Sequence, residues 1–92
     1  MKDPVVEQFR EKITEVDRAL IETVNRRLKL VEQLWRYKEK HGLALHDPAR
    51  EDWMLRYLSR ANRGPLSGDG LAELSALVLD LTKRETAQPA EA

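Results

Sequence analysis

The stretch VVEQFREKITEVDRALIETVNRRLKLVEQLWRYKEKH, residues 5–41, decides the fold, because it contains neither Gly nor Pro. Asp3-Pro4 before it is typical of a helix start, and Gly42 after it is typical of a helix end. Apolar side chains recur through it at spacings of three or four residues, as they do on one face of a helix: Val6, Phe9, Ile13, Val16, Leu20, Val24, Leu28, Val31 and Trp35. The pattern predicts one helix over residues 4–41, about 57 Å long.

A helix of this length indicates a second chain. A compact monomer of 92 residues would be about 30 Å across, so the helix would extend beyond its own domain. Its apolar face would then need cover that one small chain cannot supply. We therefore predict a homodimer.

Two shorter helices follow. Asp47-Pro48 repeats the start signal of the first helix, and Ser67 is a plausible N-cap for the third. The segments 42–46 and 63–70 are predicted loops. The apolar faces of the two helices consist of Trp53, Met54, Tyr57, Leu58 and Ala61, and of Leu71, Leu74, Leu77, Val78 and Leu81. The sequence thus predicts an all-α chain forming a single domain over residues 1–92, with its core at about 4–86 and a frayed tail at 87–92.

The composition excludes several classes of function. Cysteine is absent, which excludes disulfides and thiolate metal sites and suits a reducing cytoplasm. We expect no signal peptide, because the amino terminus lacks an apolar core, and no membrane span, because no apolar run approaches about 20 residues. Sixteen Lys and Arg balance sixteen Asp and Glu, and the two signs are interspersed, which argues against a nucleic-acid partner.

Cations interrupt the apolar face of the first helix. Arg27 and Lys38 are 11 residues apart, which places them on one face about 16 Å apart along the axis, where they can grip a small anion. Arg10 lies on the same line but about 25 Å from Arg27, too far to share one small ligand. If Arg10 serves such a site, the partner chain supplies it, so the dimer would have shared active sites. Alternatively, each cation lays its stem along apolar surface and keeps its charge in water.

A second charged cluster begins the second helix. Asp47 is expected to cap it, and Glu51 in the first turn suits the helix dipole, whereas Arg50 there does not. We predict no metal site, because His41 and His46 would need further ligands, and no cofactor, because no Gly-rich phosphate loop is present. Several cations and carboxylates in an apolar lining can instead clamp a polyanion and stabilise developing charge.

These residues carry a family resemblance. The Arg of FREKI, the second Arg of NRR, the Lys of YK and the DPARE start of the second helix resemble the all-helical class of chorismate mutase. Their spacings also match: 17 and 11 residues, then 9, 12 and 13 from Lys38 to Asp47, Arg50 and Glu51. The resemblance covers about residues 6–86. It implies an intertwined homodimer of three-helix chains that converts chorismate to prephenate for phenylalanine and tyrosine synthesis.

The resemblance also implies individual roles. Arg27 and the partner's Arg10 would hold the two substrate carboxylates, and Lys38 would donate to the ether oxygen as its bond breaks. Glu51 would accept a hydrogen bond from the ring hydroxyl. Asp47 and Arg50 would shape that end of the pocket.

The third helix departs from the family pattern. The family has Ser or Thr facing the site and then Gln or Glu four residues later. When the family pattern is aligned with this sequence at Leu66, Thr82 and Thr86 fill these two places. A shift of one residue would put Glu85 in the second place, and Gln88 is a more remote candidate.

Other functions remain open at the level of sequence. The scaffold also suits an aminodeoxychorismate mutase or an isochorismate-pyruvate lyase, although the DPARE cluster favours a mutase over the lyase. A non-catalytic helical module that regulates or docks on a shikimate-pathway enzyme is a different class. The presence of Arg10, Arg27, Lys38 and Glu51 together argues against an inactive site.

Overall fold

The protein, described over residues 3–86 by a computed structural model, consists of three α-helices. Helix α1 spans Pro4–Lys40, α2 spans Pro48–Ala61 and α3 spans Gly68–Glu85. No strand occurs in this part of the chain. The all-α prediction is therefore confirmed, and the predicted frayed tail and Gln88 lie outside the described residues.

Side-chain caps begin each helix. The Asp3 carboxylate accepts a hydrogen bond from the Val5 amide at 2.8 Å, Asp47 from the Arg50 amide at 3.1 Å, and the Ser67 hydroxyl from the Gly70 amide at 3.0 Å. Each cap satisfies an amide that the helix leaves without an internal partner. The three helix starts thus confirm the predictions from the sequence.

Helix α1 ends two residues before Gly42, the stop predicted from the sequence. The φ of this glycine is 66°, in the left-handed region that costs glycine little. The Leu43 amide then donates to the Lys38 carbonyl at 2.8 Å, and the Gly42 amide donates to the Glu39 carbonyl at 3.3 Å. This pair of bonds is a Schellman motif, which turns the chain sharply toward α2.

Burial is concentrated on α3 and near its contacts with the end of α1 and with α2. The buried residues of the described chain are Leu71, Ser75, Thr82 and Thr86, all on α3 or at its end. By contrast, every residue from Gln8 to Thr23 of α1 is exposed. The molecule measures 60 × 27 × 17 Å, so half of α1 projects beyond the other two helices.

The exposed half of α1 carries the apolar face predicted from the sequence. Phe9, Ile13, Val16 and Leu20 each expose more than half of their surface. Within residues 3–86, no helix combines the length and the apolar character needed to cross a membrane.

Helix α2 buries only one edge of its predicted apolar face. Met54 and Leu58 are half-buried, but Trp53 and Tyr57 point outward and stack with ring centroids 5.1 Å apart. The Arg50 guanidinium lies 4.2 Å from the Trp53 ring centroid. A cation over an indole face is attracted by the ring quadrupole, which helps to hold Arg50 at a helix start that the dipole makes unfavourable for it.

Candidate active site

A cavity of about 300 Å³ lies where the carboxyl-terminal half of α1, the start of α2 and the carboxyl-terminal half of α3 meet. Its charged or polar lining comes from all three helices and the α1–α2 loop: Arg27, Lys38, His46, Asp47, Arg50, Glu51, Thr82 and Lys83. Its apolar wall is formed by Val31, Leu34, Trp35, Leu45, Met54 and Leu79. Six of the residues predicted for the site therefore meet in one cavity.

Lys38 reaches the cavity from the last turn of α1. The Schellman motif bends the following loop back over the helix end, and the Lys38 ammonium donates to the Leu45 carbonyl at 3.4 Å. This single long hydrogen bond leaves the other two ammonium protons available. Lys38 therefore presents a cation to the cavity instead of only laying its stem along apolar surface.

Arg27 is held by α3. Its Nη1 donates to the Thr82 hydroxyl at 2.5 Å, and that hydroxyl donates in turn to the Val78 carbonyl at 2.6 Å. Arg27 Nη2 lies 4.0 Å from the Met54 sulfur. Burial lowers the pKa of the Arg27 guanidinium, because desolvation disfavours its charged form. An anion entering the cavity would offset this desolvation.

The hydrogen bond to Thr82 gives a stability prediction. We expect Thr82→Val to lower the melting temperature by about 4 °C or more, because the half-buried guanidinium loses its acceptor at a cost of about 1 kcal/mol after allowance for solvent. Thermal unfolding followed by circular dichroism would measure this. The matched control is Thr23→Val, since exposed Thr23 makes the same bond to the carbonyl four residues back, at 2.8 Å, without a guanidinium partner. Equal shifts in the two variants would contradict the prediction.

The start of α2 supplies both carboxylates of the cavity. Asp47 caps α2 through the Arg50 amide, as predicted, while also lining the cavity. The Glu51 carboxylate lies 3.8 Å from the Lys83 ammonium of α3. This ion pair links α2 to α3, both of its side chains line the cavity, and both are partly exposed.

Other predicted site residues lie outside this cavity. Arg10 is exposed near the far end of α1, where it pairs with Glu7 at 3.5 Å. Thr86 is buried, and its hydroxyl donates to the Thr82 carbonyl at 2.5 Å instead of lining the cavity. Glu85 is exposed.

Three polar or polarisable lining residues were not predicted from the sequence: Lys83, His46 and Met54. For Lys83 the signal was present, because Leu79, Thr82, Lys83 and Thr86 follow the i, i+3, i+4, i+7 pattern of one helix face. His46 and Met54 have no comparable sequence signal. His46 reaches the cavity because of the conformation of the α1–α2 loop, and Met54 reads in the sequence as an ordinary residue of an apolar helix face.

The charges of the lining suit an anion. Arg27, Lys38, Arg50 and Lys83 face Asp47 and Glu51, which leaves an excess of two positive charges among these six side chains. A small dianion would balance that excess. The apolar wall strengthens electrostatic attraction, because it lowers the local dielectric constant. The cavity can therefore hold a compact dicarboxylate and place a cation against one of its oxygens.

Comparisons with known proteins agree with this chemistry. The family model described as chorismate mutase type II matches residues 9–86. No curated protein matches the chain. Chorismate mutase (form II) from Thermus thermophilus is 25% identical and superposes with a TM-score of 0.84, over 91% of this chain and 96% of that chain.

A second structure from the same organism, chorismate mutase (form I), is 27% identical with a TM-score of 0.80, over 84% of this chain and 96% of that chain. Since the family model covers most of the sequence, the chain belongs to the chorismate mutase type II family.

Proposed function

We propose that the chain is a single-domain chorismate mutase, which converts chorismate to prephenate for the synthesis of phenylalanine and tyrosine. The observation that carries the proposal is the cavity that brings Arg27, Lys38 and Glu51 together with an excess of positive charge. The chain's membership of the chorismate mutase type II family and its likeness to the two Thermus enzymes support the same activity. We also propose a cytoplasmic location, which a cysteine-free sequence suits.

The reaction is an intramolecular Claisen rearrangement. The ether C–O bond of the enolpyruvyl group breaks while a new C–C bond forms, and no proton leaves or enters the substrate. Catalysis therefore needs a compact substrate conformer and a cation at the oxygen where negative charge grows. Lys38 has the chemistry for this second task, because its ammonium lines the cavity and makes only one long hydrogen bond.

The two substrate carboxylates require cations of their own. Arg27 binds one of them, and its bond to Thr82 fixes the guanidinium for this purpose. Arg10 of the partner subunit binds the other, since Arg10 of the same chain is about 25 Å along the helix from Arg27. Thr82 is thus a positioning residue, and each active site is shared between two chains.

The carboxylates at the start of α2 orient the substrate ring. Glu51 accepts a hydrogen bond from the ring hydroxyl, while Asp47 and Arg50 shape that end of the cavity. Thr86 directs its hydroxyl to the Thr82 carbonyl. We therefore assign donation to the ether oxygen to Lys38. Thr86 supports the site only through its bond to Thr82, and Glu85 is exposed and does not line the cavity.

A direct assay tests this function. Purified protein is supplied in separate assays with chorismate, 4-amino-4-deoxychorismate and isochorismate, the ultraviolet absorbance of each substrate is followed, and the product is identified. Accumulation of prephenate supports the proposal. Release of pyruvate, or turnover only of substrates with a ring amine or an isochorismate skeleton, would assign one of the related activities. Absence of turnover with all three substrates would favour a non-catalytic docking module.

The shared site gives a prediction about assembly. We expect sedimentation at micromolar concentration to give twice the chain mass of 10.7 kDa. The reason is the apolar face of α1, where Phe9, Ile13, Val16 and Leu20 are more than half exposed in a single chain. Replacing Ile13 and Val16 with Glu should yield monomers, whereas Glu11→Gln on the same helix should leave the dimer intact. A well-folded wild-type monomer would contradict the shared site.

A further inference from the structure

The Lys83–Glu51 ion pair bears on which substrate the cavity accepts. Glu51 is the proposed acceptor for the ring hydroxyl, yet a carboxylate accepts equally well from a ring amine. An isolated carboxylate would even favour the amine, because an alkyl amine is protonated at neutral pH and the opposite charges attract. In this chain, however, the Lys83 ammonium stands 3.8 Å from the Glu51 oxygen and lines the same cavity.

The geometry of the pair leaves the carboxylate able to bind substrate. A separation of 3.8 Å is an ion-pair contact but is longer than a normal hydrogen bond, so the lone pairs of Glu51 remain available. A neutral hydroxyl can donate to one of these lone pairs without meeting a like charge. A ring ammonium bound in the same place would lie beside the Lys83 ammonium and would be repelled by it.

We propose that Lys83 is a specificity-determining residue, which offsets the charge of Glu51 and makes the cavity select a neutral ring hydroxyl over a cationic ring amine. The inference rests on the proposed mutase function and adds the substrate class to it. Because both side chains are partly exposed, water screens the repulsion, so the effect is moderate. Lys83 need not touch the reacting bond to exert it.

The test compares two substrates in one set of variants. We would measure kcat/KM for chorismate and for the analogue with an amine in place of the ring hydroxyl, 4-amino-4-deoxychorismate. Lys83→Met should raise the ratio of amine to hydroxyl kcat/KM by about two- to fivefold, as expected for removing one partly screened like charge. Lys83→Gln should have the same effect, which provides a second variant if Met perturbs folding.

Two controls isolate the charge at this position. Lys83→Arg keeps the cation and should keep the wild-type ratio. Arg84→Met removes a cation from the next residue of α3, which pairs with Asp80 at 3.5 Å and does not line the cavity, and it should also leave the ratio unchanged. An unchanged ratio in both folded Lys83 variants, or an equal rise in Arg84→Met, would overturn the inference.

The outcomes also separate this inference from the proposed function. If the wild-type protein converts chorismate but the Lys83 variants keep its substrate ratio, only the role of Lys83 is wrong. If the wild-type protein rearranges neither substrate, the mutase function is wrong and the role of Lys83 is wrong with it.

Discussion

Lys38→Met is expected to lower kcat for chorismate by about 10²–10³-fold, as is typical when a preorganised donor to developing charge is lost. The methionine keeps the apolar stem of the lysine, so the cavity wall and the end of α1 stay intact. The lost bond to the Leu45 carbonyl is long, at 3.4 Å, and its removal should change the melting temperature little. Both kcat and the melting temperature are measured on the same preparation, so that loss of turnover can be distinguished from loss of folding.

Two comparisons make the Lys38 result specific. Lys40→Met, two residues along α1, removes an exposed cation that does not line the cavity, and turnover should stay near normal. Arg27→Met should raise KM as well as lower kcat, because a carboxylate clamp also acts on the bound ground state. Near-normal turnover in folded Lys38→Met would show that this lysine only covers apolar surface.

Mixing two inactive variants, Arg10→Ala and Arg27→Ala, is expected to restore activity. In a heterodimer, one site collects both lesions while the other combines an intact Arg27 with an intact Arg10 from the other chain. Each heterodimer should therefore recover up to half of the wild-type activity, against a background of almost none. Coexpression with two different affinity tags isolates the heterodimer for the assay.

The matched control for mixing pairs Arg27→Ala with Lys38→Met. Both residues belong to the cavity of one chain, so each site of this heterodimer carries one lesion and no activity should return. Failure of purified Arg10→Ala and Arg27→Ala heterodimers to gain activity would mean that the two arginines do not come from different chains in one site.

The helix ends were predictable because their chemistry is local. Asp3-Pro4, Asp47-Pro48, Ser67 and Gly42 each act within a few residues of the chain, and the structure places a cap or a stop at every one. The placement of Arg27 and Lys38 on one helix face could be predicted equally well, because residues that are 11 positions apart in an α-helix point in nearly the same direction.

Contacts between helices were harder to predict. The register of α3 predicted that Thr82 faces the site. No sequence pattern, however, predicts the helix packing that brings the Thr82 hydroxyl within hydrogen-bond distance of Arg27. Helical spacing places Lys83 on the face of Leu79 and Thr82, but it does not show that the long side chain brings the ammonium to Glu51. Trp53 and Tyr57 lie on the same apolar face of α2 as Met54, yet they are exposed in a single chain, because periodicity does not indicate which part of a face the neighbouring helices cover.

Through the proposed dimer, the exposed half of α1 would link catalytic output to the amount of protein present. In the proposed dimer, a chain that lacks a mate also lacks a complete site, because the second carboxylate-binding arginine is at the end of α1 remote from its own cavity. Below the concentration at which chains pair, doubling the number of chains would quadruple the number of dimers by mass action. Expression level would then act as a threshold, so that a small change in synthesis or turnover of the chain has a disproportionate effect on flux.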